Sequence, residues 1–371
     1  MVICALLIAL VGGDAAAGVH RGAGTSHSTG VSPGTGGCPG AGVQAEPPPP
    51  AVTRFLATYV RPDGRVYRPD QGGDTVSEGQ AYGLLLAEVA GRDALFGQIW
   101  RWTREHLQLG DGLFAFHADA AGHVLSAEPA SDADLLIAWA LLRYQGPGAG
   151  GLHQDGQKVA HAILAHEVTA GPAGVPILTA GPWATVRPAT VDPSYWSLPA
   201  MTALACLTGD RRWERMANGA VALTAQLTGN GALLPPDWAE LTAAGQARPV
   251  PAPDGSEPQV QYGLDAQRTV VWFAASCLPR ARTLAARWWQ LLRWPARAQA
   301  LALGLDGTIL TPTTSVLPLV AAAAAAQAAG AASGRLLSQA TALQLRSPRY
   351  YGGAWIALGS TLAGSDLLAG C

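Results

Sequence analysis

Charge is what this 371-residue sequence has least of. Only 13% of its residues are Asp, Glu, Lys or Arg, against a usual ~25%, and they nearly cancel to a formal net charge of -2. A nucleic-acid binder needs a basic face against the phosphates, so that class of partner is disfavoured, whereas a neutral polymer requires no charge steering. Cysteine is scarce as well. The five are Cys4, Cys38, Cys206, Cys277 and Cys371, with no CxxC and no Cys/His cluster at zinc-ligand spacing. That pattern predicts no structural metal and no obligatory disulfide. Strand signals are few, and only residues 66–68 and 113–116 read as small hairpins. There is no fixed-period repeat.

What the chain does have is apolar surface: 49% of its residues are hydrophobic and twelve are Trp, which excludes a disordered chain. Flat aromatic rings fill cores, and they also stack on the apolar faces of sugar rings. At the N-terminus, an apolar run over residues 2–11 precedes Gly-Gly-Asp and then Ala15-Ala16-Ala17. This is the order of a signal-peptide core and cleavage site, although no Lys or Arg precedes the run. The run is too short to span a bilayer. We therefore expect a signal peptide over 1–17 and a periplasmic or secreted mature protein. Residues 18–50 are rich in Gly, Ser, Thr and Pro and end in four prolines, the composition of a flexible linker that stiffens near Pro47. Residues 51–371 remain for one folded domain.

Within that domain the apolar spacing is helical. Residues 78–90 place Tyr82, Leu85, Leu86 and Val89 on one face, and 94–107 do the same with Leu95, Ile99, Trp102 and Leu107. Further helices are predicted over 132–144, 156–170, 194–208, 211–227, 265–275, 283–292, 313–329, 333–345 and 351–362. About eleven helices joined by Gly/Pro loops suggest an all-α toroid, an inner ring of helices wrapped by an outer one.

Three acids open such helices. Glu78 lies in Ser77-Glu78-Gly79-Gln80-Ala81-Tyr82-Gly83, Asp132 in Ala130-Ser131-Asp132-Ala133-Asp134, and Asp265 three residues before Arg268. Each alone has an ordinary explanation, since a carboxylate at a helix N-terminus complements the macrodipole and an i,i+3 acid–arginine pair is common. Together they carry more. A toroid of parallel inner helices brings those N-termini to one face. Carboxylates in a cleft lined with Trp and Tyr suit glycosidic hydrolysis, in which one acid protonates the leaving oxygen and a second activates water. Arg268 would help keep the base ionised.

On these residues the chain resembles glycoside hydrolase family 8, over roughly residues 54–364. Within that family it is most similar to the endoglucanases encoded with bacterial cellulose synthase. The segment Tyr59-Val60-Arg61-Pro62-Asp63-Gly64-Arg65-Val66 resembles the family's entry segment, and that around Glu78 resembles the segment carrying its general acid. Ala130-Ser131-Asp132-Ala133-Asp134 matches a signature whose first Asp contacts the sugar at the cleavage point. Asp192-Pro193-Ser194-Tyr195 is similar to an Asn-Pro-Ser-Tyr segment, and Pro236-Asp237-Trp238 to a Pro-Asp-Trp. Asp265-Ala266 with Arg268 resembles the segment of the general base, and Arg349-Tyr350-Tyr351 with Trp355 the closing helix. The resemblance implies an (α/α)6 barrel with short β-hairpins on its loops, an inverting mechanism without metal or cofactor, and a groove for several glucosyl units. It assigns Glu78 as acid, Asp265 as base and Asp132 as holder of the reacting sugar. Tyr195, Trp196, Phe116, Trp238, Arg268 and Tyr351 become candidate substrate contacts.

The activity so implied is endo-β-1,4-glucanase, a cellulase, with a β-glucan as substrate and the cellulose synthase complex as a candidate partner. Departures from the family pattern keep two alternatives open. Asp192 replaces Asn, and its charge would favour a cationic chitosan over cellulose, with xylan and mixed-linkage glucan also in range. Leu264 replaces Tyr before the base, Phe116 stands in place of a Trp-bearing segment, and Tyr144 replaces Ala. These leave room for a non-catalytic glucan-binding component of an export complex, although such a protein would not need all three acids.

Overall fold

In a computed structural model of the chain, the described residues are 47–364 and Leu368. The expected signal peptide, nearly all of the linker, and Cys4, Cys38 and Cys371 lie outside them. The described chain alternates outer and inner helices. In order these are α1 (Pro50–Tyr59), α2 (Ser77–Val89), α3 (Asp93–His106), α4 (Ser131–Arg143), α5 (Ala149–His166), α6 (Leu198–Thr208) and α7 (Arg212–Leu227). Then come α8 (Leu264–Ala274), α9 (Pro279–Leu292), a short α10 (Pro295–Gln299), α11 (Val316–Ala328), α12 (Gly334–Arg346) and α13 (Tyr350–Gly364).

Helices α2, α4, α6, α8, α11 and α13 contact one another in sequence, and α13 returns to α2, which closes the inner ring of an (α/α)6 barrel. Composition decides which helix goes where. Every residue of α4 is buried, as are Val316 to Ala326 of α11, because these helices are apolar on all sides. The outer α3 instead buries one stripe, Phe96, Ile99, Trp100, Trp102 and Thr103, and turns its charged face to water.

The loops are unequal. Connections from an inner helix to the next outer one take three to five residues. Those from an outer helix to the next inner one are long, apart from the three residues between α12 and α13, and carry every strand among the described residues. Strands β1 (Thr75–Val76), β2 (His117–Ala118) and β3 (Val124–Ser126) form one antiparallel sheet, and β4 (Val168–Ala170) pairs with β5 (Pro176–Leu178). Strands β6 (Ala189–Val191), β7 (Trp238–Leu241) and β8 (Ala247–Val250) form a second three-stranded sheet, and β9 (Ala300–Leu303) pairs with β10 (Ile309–Thr314). All of this material gathers at the end of the barrel where the inner helices begin, the end on which the three acids were placed.

Several expectations need correction. Residues 50–59, unassigned from sequence, form α1. Its first residue is Pro50, the last of the four linker prolines, and proline suits the first helical turn because it lacks only an N–H that would go unpaired there. The helix expected over 156–170 starts earlier, after Gly148 in the left-handed region, and stops at His166, where β4 takes over. The expected hairpins at 66–68 and 113–116 are reduced to single bridges, Val60 with Val66, Arg68 with Asp74 and Gln108 with Phe114. Cys206 and Cys277 are both disulfide-bonded, where the sequence was read as needing no obligatory disulfide. They lie 71 positions apart at the ends of α6 and α8, a proximity no local spacing encodes.

Candidate active site

Glu78 is placed by the first turn of α2. Strand β1 runs directly into that helix, and the Ser77 amide donates to the Phe116 carbonyl at 2.9 Å. The buried Gln80 side chain accepts from the Val66 amide at 2.5 Å and donates to Thr103 Oγ1 at 2.8 Å, which ties the entry loop to α2 and α3. Between the two, Gly79 admits a close neighbour, since a Cβ there would lie 2.6 Å from the Tyr350 hydroxyl at the start of α13. Tyr82, one turn on, donates its hydroxyl to Glu78 Oε1 at 2.5 Å. The preceding loop is held by Asp74, which accepts from Arg68 Nε at 2.8 Å and lies 2.7 Å from His117 Nε2.

Asp265 and Arg268 are placed by α8, and a carboxyl from another loop aims that helix. Asp237 Oδ1 accepts from the Gly263 amide at 2.9 Å and the Ala266 amide at 2.7 Å, capping a helix start that has no cap of its own. Gly263 is required by that approach, because a Cβ would collide with Asp237 Oδ2. In α4 the two signature acids divide their tasks. Asp132 faces the site, while the sealed Asp134 accepts the Phe114 amide at 2.9 Å and anchors the loop that carries Phe116.

These elements converge on Arg268. Its Nη1 donates to Glu78 Oε1 and, at 3.0 Å, to Asp132 Oδ2. Its Nη2 donates to Asp265 Oδ1 at 2.9 Å and Ser194 Oγ at 2.7 Å, and lies 3.6 Å from Asp192 Oδ2. Tyr195 closes the guanidinium from above, with its ring centroid 5.3 Å away. Two carboxylates held by the two terminal nitrogens of one guanidinium have their nearest oxygens no more than about 8 Å apart.

Exposure separates the four acids. The Asp265 side chain keeps 30%, Glu78 14%, Asp132 8% and Asp192 none. Asp265 is therefore the carboxyl most open to water, and Asp192 cannot meet a substrate. Burial, reinforced by the Glu78 charge and opposed by Arg268, pushes Asp132 up to about 7. Burial also raises Asp265, with Arg268 opposing it and Glu78 adding to it. Burial opposes the Arg268 charge too, but Tyr351, Asp265 and Glu78 more than offset it, so the guanidinium stays charged.

Of the aromatic candidates, Tyr195, Tyr351 and Phe116 remain half-buried at this end of the barrel. Trp196 does not belong with them. It is fully buried, and its indole N–H donates to the Leu178 carbonyl at 2.9 Å, so it is a core residue. Trp238 is 4% exposed and meets Tyr195 edge-on at 6.2 Å, where it backs that ring and offers little face of its own. Asp192, expected to bring negative charge to the groove, is sealed behind Arg268. Sequence reasoning passed over Tyr82, Ser194 and Asp237 as site residues. Tyr82 falls on the apolar face of its helix in the sequence, and Ser194 and Asp237 carry no local pattern that sets them apart from the loops around them. Among the described residues no group of three or more His, Cys, Asp or Glu is arranged to hold a metal ion.

The model of the glycosyl hydrolases family 8 matches residues 43–344. The chain belongs to this family. A probable endoglucanase of Novacetimonas hansenii is 32% identical over 254 residues, which cover 62% of this chain and 69% of the relative. An endoglucanase of Cellulomonas uda is 29% identical over 209 residues, 53% of this chain and 56% of the relative. Among solved structures, the endo-beta-1,4-glucanase CMCax of Acetobacter xylinum superposes with a TM-score of 0.68 at 24% identity, covering 85% of this chain and 97% of that one. At that identity the match speaks for the fold. As a family 8 member the chain is a glycoside hydrolase, and the cluster around Arg268 supplies acids at the start of three inner helices of the shared barrel.

Proposed function

We propose that this family 8 hydrolase is an inverting endo-β-1,4-glucanase, with Glu78 as general acid, Asp265 as general base and Asp132 holding the reacting sugar. The observation that carries this reading is the Arg268 fork, which brings the proposed acid and base, from the starts of two different helices, to the two terminal nitrogens of one guanidinium. In the reaction Glu78, hydrogen-bonded by Tyr82, gives its proton to the leaving glycosidic oxygen. Asp265, the most open carboxyl, takes a proton from the water that attacks the anomeric carbon from the opposite face. The Glu78 proton leaves with the alcohol product, and the water adds hydroxide to the sugar with inverted configuration. Tyr195, Tyr351 and Phe116 present ring faces for stacking glucosyl units. Relatives named endoglucanase support a β-1,4-glucan as substrate. The observation that had favoured chitosan is gone, because Asp192 does not reach the groove.

The test is a pair of isosteric variants. Glu78→Gln and Asp265→Asn should fold with unchanged thermal midpoints and lose about 10²–10⁴-fold or more in hydrolysis of a soluble cellulose derivative. Near-normal reducing-end release by either variant would overturn its assigned role. We further propose export to an oxidising compartment, supported by the disulfide-bonded Cys206 and Cys277, and an association with cellulose synthesis, supported by the sequence resemblance alone. Cell fractionation and co-purification with a cellulose synthase subunit would test these.

A further inference from the structure

One carboxyl of the cluster has no part in the chemistry just described. Asp192 stands where the family pattern has Asn, in Asp192-Pro193-Ser194-Tyr195. Its side chain is fully enclosed, and its Oδ1 accepts the Ser194 amide at 2.7 Å, a bond an asparagine oxygen would make equally well. The difference lies in Oδ2. It accepts no hydrogen bond and lies 3.6 Å from Arg268 Nη2, the same nitrogen that donates to Asp265. The groups around it are Asp265 and Arg268 from α8, Asp132 from α4, Ser194 and Tyr195 from its own turn, and Glu78 across the guanidinium. Four acids thus share one cation where the family pattern supplies three.

We infer that Asp192 is a positioning residue that divides the charge of Arg268 between itself and the reacting carboxylates, and so sets the pH range in which hydrolysis runs. Replacing it by a neutral isostere leaves Arg268 wholly to Glu78, Asp132 and Asp265. The ionised form of each remaining acid is then favoured, and the apparent pKa values of the coupled cluster fall together. Burial and the neighbouring Asp265 charge push the Asp192 carboxyl well above its usual range, while Arg268 and the Ser194 hydrogen bonds draw it down. The inference rests on the acid and base roles proposed for Glu78 and Asp265.

The experiment is the pH dependence of kcat/KM for wild type and Asp192→Asn on a neutral soluble substrate such as hydroxyethyl cellulose. Both limbs of the bell should move to lower pH by about 0.5–1 unit, raising the ratio of activity at pH 5 to that at pH 7 severalfold. Limbs that stay within about 0.2 unit of wild type, or that move to higher pH, overturn the inference, even if kcat falls, because a purely structural contribution would change the rate without moving the limbs. Asp192→Ser, which also keeps an acceptor for the Ser194 amide, must shift the limbs in the same direction and serves if the first variant does not fold. Glu78→Gln in the same assay separates the two levels. Substantial activity there brings down the catalytic roles, whereas an inactive Glu78→Gln beside an unmoved Asp192→Asn profile brings down only the role of Asp192.

Discussion

At the scale of single residues, the site is a problem in sharing one charge. An arginine can hold Glu78 and Asp132 on one nitrogen and Asp265 on another because its guanidinium is a flat fork, whereas lysine offers a single ammonium point. Arg268→Lys keeps the buried charge, so the acids are not left uncompensated and folding should survive. It cannot keep both sides of the fork, and kcat on a neutral glucan should fall by about 10²-fold or more with a smaller change in KM. A variant with wild-type kcat would show that the fork is dispensable. Sequence made Glu78, Asp132, Asp265 and Arg268 legible, because acids at helix starts form a local pattern. It could not rank Trp196 against Tyr195, adjacent in the chain, since only the packed structure decides that one ring meets the Leu178 carbonyl and the other the cluster.

At the scale of elements, each acid proposed to react is aimed by the start of a helix, and each start is held by something distant in the chain. For α8 that is Asp237, 26 residues before Gly263 and bonded to its amide. Gly263→Ala would push Asp237 away from the helix it caps. We expect a loss of about 1–3 kcal/mol in unfolding free energy from overpacking, with a fall in kcat as Asp265 and Arg268 tilt. Denaturant melts and steady-state kinetics on the same protein check this, and a fully stable, fully active Gly263→Ala would mean that the contact does not aim the helix. Eleven of the thirteen helices were legible from apolar period, with ends displaced where Gly and Pro were read as breakers, whereas α1 and the short α10, both opened by proline, were not. Pro50 and the glycines at 150 and 151 lie inside helices because first-turn positions tolerate them.

At the scale of the whole molecule, the fold encloses more acid than it neutralises. Burial raises Asp132 and Glu88 to about 7, in Glu88 despite the attraction of Arg143, and it raises Asp134, Glu167 and Asp237 well above the usual range. Between the ordinary carboxylate range near 4 and these higher values, the native state binds more protons than the unfolded chain, so stability falls as pH rises. The thermal midpoint should therefore be higher near pH 5 than near pH 8 by several degrees. The groups held low, such as Asp74, which Arg68 and His117 stabilise against the burial that would raise it, act in the opposite sense and only below about pH 4. A midpoint that climbs from pH 5 to pH 8 would show that these acids are paired or hydrated in the native state.

The sequence by itself determined the helical class and the family and singled out the three acids that meet at Arg268, because apolar period and short motifs are local properties that a linear chain displays. The closure of the inner ring, the choice of Arg268 as common partner, the burial of Asp192 and Trp196, and the bonding of Cys206 and Cys277 were decided only by tertiary structure. Each depends on side chains from different helices reaching one small volume, where exclusion of water decides which charges interact and which rings remain free to meet a glycan.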